Sequence, residues 1–260
     1  MALPKRIHYC WFGTGSKNEL VTRCIESWKK YAPECEITEW NETNYDVTQN
    51  PYMYEAYKAK RWGFVSDFAR LDIIYRYGGI YLDTDVELIR SIDKLLTGEG
   101  FIGFERADRH GRYSVNTGSG FGAEAGDLVI GAMRDIYRGL SFVREDGSLN
   151  LDPSPTYNTE ALARLGLRRD NTLQKIGKIT VYPSDYFCPV DWESHKRLIT
   201  ENTYSIHHFD ASWLTEEEKK RRRRERGLDR IRHLPNRALI SLLGDERYAH
   251  LKKILKRGRN

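Results

Sequence analysis

KRIHYCWFGTGSKNELVTRCIESWKKYAPECEITEW, residues 5–40, decides the fold class. Ile7 to Phe12 is a β-branched and aromatic run that gives way to Gly13 and Gly15, so it reads as a first buried strand entering a loop. Val21, Cys24, Ile25 and Trp28 then recur at helical spacing, and the pattern stops before Pro33. CEITEW follows as a second strand. Strand, helix, strand is a β-α-β unit, which implies a parallel sheet with helices packed on it.

The pattern continues outward in the same style. Residues 52–77 form one predicted helix with Phe64, Val65, Phe68, Leu71, Ile74 and Tyr75 as its apolar stripe, stopped by Gly78 and Gly79. IYLDTDVEL is a predicted strand, SIDKLL the next helical turn, and FIGFE another strand. The polar, Gly-rich stretch RADRHGRYSVNTGSGFGAEAG reads as a loop. A helix over 127–137, a loop over 146–158, a short helix over 159–165 and the strands ITVYP and YSIHHF complete the pattern.

Composition bounds what the chain can be. With 260 residues, 40% hydrophobic and 12% aromatic, it supports one large domain or one domain with an appendage. Lys5, Arg6 and His8 interrupt the first apolar stretch, and no later run approaches the roughly 20 residues that span a bilayer, so neither a signal peptide nor a transmembrane helix is expected. Cys10, Cys24, Cys35 and Cys188 form no CxxC pair and read as reduced thiols, which points to the cytoplasm. The net charge of +5 is unevenly spread, because residues 214–260 hold 16 Lys/Arg against 7 Asp/Glu.

Asp83 and Asp85 lie one residue apart in an apolar stretch. On a strand they would share a face, and two carboxylates so placed repel each other unless a cation compensates them. A hard divalent ion, Mn²⁺ or Mg²⁺, suits oxygen ligands of this kind and can also grip a diphosphate. Two other readings stay open on spacing alone: a hydrated strand end, and a haloacid-dehalogenase-type phosphatase with Asp83 as covalent nucleophile. Position favours a site, since open α/β sheets bind ligands beyond the carboxyl ends of their strands.

FVSDFARLDIIYRYGGIYLDTDVE resembles the DXD-containing sugar transferases of glycosyltransferase family 32, which include initiation α-mannosyltransferase-like proteins and bacterial capsule or lipopolysaccharide transferases. It is more distantly similar to the glucosylating domains of clostridial toxins. PKRIHYCWFG, WNETNYDV and SIHHFDASW extend the resemblance over about residues 4–213. The resemblance implies a GT-A fold, a Rossmann-like central sheet flanked by helices, over 1–213, with 214–260 left as a basic helical extension. It also implies a retaining hexosyltransferase using a divalent metal, Mn²⁺ or Mg²⁺, and a nucleotide-sugar, with UDP-sugar favoured over GDP-sugar. The acceptor would be a saccharide or lipid-linked oligosaccharide in capsule or lipopolysaccharide synthesis.

Carried over by position, Trp11 resembles the aromatic residue that stacks on the donor base, with Ile7 and Tyr9 flanking it. Asp67 and Arg70 resemble the pair that holds donor-sugar hydroxyls and phosphate, and Asn116 a polar position near that sugar. Asp83 would hold ribose or metal, and Asp85 would ligate the metal directly. His207, Ser212 and Trp213 resemble the motif that closes the metal and diphosphate site. Residue chemistry alone allows blander roles: core for Trp11, an i,i+3 ion pair for Asp67 and Arg70, and turn chemistry for Asn116. His207 and His208 face opposite ways on a strand, so one of them at most is a ligand, and His207 is favoured. Charge stabilisation by metal and Arg70 would let the nucleoside diphosphate leave, with the departing phosphate taking the acceptor's proton.

The tail reads as charged helices divided near Pro235, with apolar residues at Leu228, Ile231, Leu234, Leu239, Ile240, Leu242 and Leu243. Such a basic amphipathic segment suits peripheral contact with anionic lipid at the inner face of the membrane. It equally suits a solvated appendage. Nucleic-acid binding, the remaining reading of an Arg-rich run, has no reading motif here and is not expected.

Overall fold

A computed structural model of the chain describes residues 2–13, 15–108, 110–190, 196–210 and 217. Ser212, Trp213 and the helices predicted over 214–260 lie outside the described residues. The chain divides into two units, Met1–Trp213 and Leu214–Asn260, and the first of them carries the sheets and the helices packed on them.

The predicted β-α-β unit is present. Strand β1 (Arg6–Cys10), helix α1 (Glu19–Tyr31) and strand β2 (Glu36–Trp40) succeed one another in order, and the two strands pair in parallel with Ile7 opposite Ile37. Asn18 caps the helix by accepting from the Val21 N–H at 2.9 Å. Val21, Cys24 and Trp28 face inward, as their spacing predicts.

The pattern over 52–77 is two helices, α2 (Pro51–Lys58) and α3 (Trp62–Tyr77). Lys60 takes a left-handed backbone, φ 56°, and the Arg61 N–H reaches back to the Ala56 carbonyl at 2.9 Å, so the chain turns where good helix formers gave no stop signal. Helix α3 buries Asp67, Arg70 and Asp72 along with Phe64, Val65, Phe68, Leu71 and Ile74 of its apolar stripe, while Tyr75 is half-buried. Gly78 and Gly79 end it with φ of 63° and 97°. A Cβ on Gly79 would lie 2.8 Å from the Arg6 carbonyl oxygen, so only glycine lets the chain pass this close to β1.

IYLDTDVEL, read as one strand, is two strands in different sheets. Strand β3 (Gly79–Tyr81) ends before the aspartates and β4 (Val86–Leu88) starts after them. The Val86 N–H bonds the Asp83 carbonyl at 3.0 Å and closes a turn. The rest of the unit is α4 (Asp93–Leu96), β5 (Gly100–Gly103), β6 (Phe121–Ala123), α5 (Leu128–Ile136), α6 (Ser154–Arg164), β7 (Gln174–Ile176), β8 (Ile179–Tyr182) and β9 (Ser205–His207). Strand β6 lies inside the stretch read as a loop, where Gly120 and Gly122 mask its short apolar run. Helix α6 starts earlier than its pattern suggests, with Pro155 tolerated in its first turn.

Seven strands form the main sheet in the order β2-β1-β3-β6-β5-β8-β7, and β4 and β9 pair in a second, two-stranded sheet. The main sheet is mixed, because β6 runs antiparallel to both β3 and β5. Alternation splits its side chains between two cores. Ile7, Tyr9, Ile80, Leu82 and Phe101 pack with Trp28 of α1 on one face, and Cys10, Tyr81, Ile102 and Phe121 pack with α3, α5 and α6 on the other. The α/β class with helices on both faces of a central sheet therefore holds. All four cysteines are free, and no helix of the described residues is long and apolar enough to cross a membrane.

Candidate active site

The turn between β3 and β4 carries Asp83 and Asp85 past the carboxyl end of β3, and they converge through this turn instead of through strand alternation. Asp83 accepts from the Tyr81 hydroxyl at 3.0 Å and from Arg70 Nη1 at 3.3 Å. Arg70 reaches it from α3, with Nη2 donating to Asp67 Oδ1 at 2.5 Å and Nε to the Ser66 carbonyl at 3.1 Å. The guanidinium is buried between two carboxylates, so Asp67 and Arg70 are an interior pair and no surface ion pair.

Asp85 is held from the other side. Pairing of β4 with β9 sets Val86 opposite His207, which brings His207 Nε2 to 3.2 Å from Asp85 Oδ1. The Asp210 N–H donates to Asp85 Oδ2 at 2.9 Å. His207 Nδ1 lies 3.1 Å from the Ser119 hydroxyl, while His208 turns to Glu87 Oε2 at 2.8 Å. The two histidines thus face opposite ways, and His207 is the one beside the aspartates.

Charge states follow from these contacts. Burial raises the Asp83 carboxyl, opposed by Arg70 and helped by Asp85. Burial also pushes Asp67 up to about 6 against the pull of Arg70. Asp85 overcomes its own burial and lies at about 2 because of His207 and the Asp210 N–H. His207 is raised well above the usual imidazole range by Asp85, despite burial. The two carboxylates therefore demand positive charge at this spot.

That demand, with the donor atoms, fits a divalent cation. One ligand atom each from Asp83, Asp85 and His207 lies within 4.8 Å of the others, a set of two carboxylates and an imidazole that suits a hard or borderline ion such as Mn²⁺. Ser119 at Nδ1 leaves Nε2 as the ligating nitrogen, the usual arrangement behind a metal-bound histidine.

Asn116 borders this cluster. Its Oδ1 accepts from the Gly118 N–H at 2.7 Å and its Nδ2 donates to Glu105 Oε2 at 3.0 Å. A Cβ on Gly118 would lie 2.4 Å from Asp83 Oδ2 and 3.0 Å from Arg70 Nη1, so glycine lets this loop press against the buried charges. Ile7 and Tyr9 lie on β1, which pairs with β3 beside the aspartate turn, and Trp11 follows them. Ile7 is wholly buried, the Tyr9 hydroxyl donates to Glu39, and Trp11 donates to the Gly15 carbonyl at 2.9 Å with Lys17 over its ring. Ser212 and Trp213 lie outside the described residues.

Tyr81, Gly118, Ser119 and Glu105 belong to this neighbourhood without having been singled out in the sequence. Glu105 carried a readable signal, since it comes after the apolar run of β5 as Asp83 comes after that of β3.

Residues 18–102 match the family described as the glycosyltransferase sugar-binding region containing the DXD motif. Inositol phosphoceramide mannosyltransferase 3 of Schizosaccharomyces pombe is 31% identical over 102 residues, which are 36% of this chain and 28% of that protein. Among solved structures, the PaToxG glycosyltransferase superposes with a TM-score of 0.46 at 19% identity, covering 63% of this chain and 70% of its own. The galactosyltransferase LgtC, solved with donor and acceptor sugar analogs, gives a TM-score of 0.42 at 13% identity over 80% of this chain and 88% of its own. No residue role passes to this chain from likenesses this distant.

Proposed function

We propose that the chain, whose residues 18–102 match the DXD-containing sugar-binding region of glycosyltransferases, is a metal-dependent, retaining hexosyltransferase of GT-A type using a nucleotide-sugar. The convergence of Asp83, Asp85 and His207 beside a buried arginine carries this reading. Asp83, Asp85 and His207 would hold the cation, which supplies charge neutralisation for a diphosphate. Arg70 stands ready to stabilise the negative charge that grows on the leaving phosphate, and Asp67 orients Arg70 and offers an acceptor for sugar hydroxyls. Asn116 borders the same space. UDP is the favoured nucleotide and GDP the other candidate.

A thermal-shift and calorimetric panel of UDP, GDP and ADP, each with and without Mn²⁺, tests this. The expected result is a stabilisation by UDP that requires Mn²⁺; a panel with no Mn²⁺-dependent nucleotide response would overturn the reading.

The acceptor we favour is a saccharide, free or lipid-linked, in capsule or lipopolysaccharide assembly at the cytoplasmic face of a membrane. The 16 basic residues of 214–260 support a peripheral membrane role, each surface cation contributing about 1 kcal/mol near anionic lipid. The full chain is expected to sediment with phosphatidylglycerol vesicles at low salt and to release at high salt. Equal binding to neutral phosphatidylcholine vesicles would count against an electrostatic anchor.

A further inference from the structure

Glu105 is a second acidic group at the same end of the sheet as Asp83. Strands β3 and β5 run in the same direction because each is antiparallel to β6 between them, so Asp83 and Glu105 leave the sheet at the same end. Beyond β5 the chain forms a narrow strap, with the Glu105 N–H bonded to the Ser114 carbonyl at 2.8 Å and the Asn116 N–H to the Gly103 carbonyl at 3.0 Å. The strap turns the Glu105 side chain onto Asn116, whose amide links it to Gly118 and so to the loop against Asp83 and Arg70.

Among the described residues Glu105 has no ion-pair partner and is outside the metal-capable cluster. Burial raises its carboxyl to about 7, with the Asn116 amide and the charge of His207 from β9 pulling it down and that of Asp108 from its own loop adding to the rise. A purely structural role would not need a carboxylate, because a glutamine oxygen would accept the Asn116 N–H equally well. What a carboxylate adds is the capacity to take a proton, at an oxygen that Asn116 leaves free.

We propose that Glu105 is a catalytic residue of this site, the base that receives the proton of the acceptor hydroxyl. The proposal rests on the transferase reading of this site. As the acceptor oxygen forms its bond to the anomeric carbon, its proton passes to Glu105 Oε1. The bond from that carbon to the diphosphate oxygen breaks, and its electron pair leaves on the diphosphate beside Arg70. The proton thus goes to the protein, not to the departing phosphate.

The test uses the full chain with Mn²⁺ and a panel of UDP- and GDP-hexoses, offering octyl glycosides or azide as acceptor. Azide has no proton to lose. Glu105→Gln is expected to lower transfer to octyl glycosides ~10²- to 10⁴-fold, the usual contribution of a positioned base. Glycosyl azide formation and Mn²⁺-dependent UDP affinity should stay within ~3-fold of wild type, since neither needs that proton transfer. Glu105→Asp should recover part of the octyl glycoside transfer. Parallel loss with azide and octyl glycosides would reveal a structural role, unchanged transfer a spectator, and either overturns the proposal. Wild type that forms neither product from any donor, yet binds UDP with Mn²⁺, would overturn the transferase reading and this inference with it.

Discussion

Asp85→Asn is expected to weaken Mn²⁺-dependent UDP binding at least ~100-fold, beyond the 10- to 100-fold typical of losing a mere supporting group around a metal, and to reduce turnover to background. Asparagine keeps the shape and still accepts the Asp210 N–H, so the fold should survive. What disappears is the negative charge that balances His207. The Asp85 carboxyl lies at about 2, below its unfolded value of about 3.9, so its stabilising contribution is full above that unfolded value and is lost as pH falls through 2. At neutral pH the substitution should therefore cost on the order of 2 kcal/mol, or roughly 5 °C in melting temperature for a chain of this size, and the deficit should shrink in strong acid. Calorimetry with and without Mn²⁺ reads the binding loss directly. Mn²⁺-dependent affinity retained in the asparagine variant would remove Asp85 from the cation site.

The parts of this fold that sequence alone revealed are those whose signals are local. Residues 5–40 contain their own strand ends, cap and apolar spacing, and the β-α-β unit appears with Asn18 as N-cap and Val21, Cys24 and Trp28 inward. The turn through Lys60 was invisible, because lysine and arginine propagate helices and only packing forces the left-handed backbone there. Strand β6 was hidden for a similar reason. Its glycines look like loop residues, yet a Cβ on Gly122 would lie 2.9 Å from the Gly79 carbonyl oxygen and from the Phe101 ring, so close packing between β3 and β5 demands the residue that disguises the strand.

Asp83, Asp85 and His207 were legible as candidate residues, and their manner of assembly was not. Spacing alone puts Asp83 and Asp85 on one strand face, whereas a turn between two sheets brings them together, with β9 adding His207 from far along the chain. Sequence could not supply that pairing of residue 86 with residue 207. For Arg70 and Asp67 the aromatic, apolar helix around them argues against a solvated face, and both are buried. Trp11, Ile7 and Tyr9 are singled out by resemblance alone, and in the structure Ile7 and Tyr9 are buried on β1 while Trp11 is half-buried after it.

Arg70→Ala should be the most destabilising change at this site. Removing the guanidinium leaves Asp67 and Asp83 without their shared cation in a place where Arg70 itself is only 4% exposed. Breaking a buried pair in this way typically costs about 3–5 kcal/mol, roughly 10 °C or more in melting temperature. The loss should depend on pH in a defined direction. Asp67 already binds its proton more tightly in the fold, at about 6, than an unfolded carboxyl near 3.9 does. Its stabilising influence is therefore full below that unfolded value and vanishes as pH rises through 6. Loss of Arg70 moves the folded value higher still, so the deficit should be small near pH 5 and largest above pH 7. Arg70→Lys separates stability from chemistry. A lysine restores positive charge but is a point donor, and it cannot span Asp67, Asp83 and the Ser66 carbonyl with one planar group. Its melting temperature should recover most of the loss, while turnover stays ~100-fold low with donor affinity changed only a few-fold, as expected for a cation whose effect grows with charge on the leaving phosphate. A lysine variant that loses donor affinity in proportion to turnover would place Arg70 in ground-state binding alone, and a melting deficit in Arg70→Ala that is flat from pH 5 to 8 would show that the two carboxylates do not depend on it.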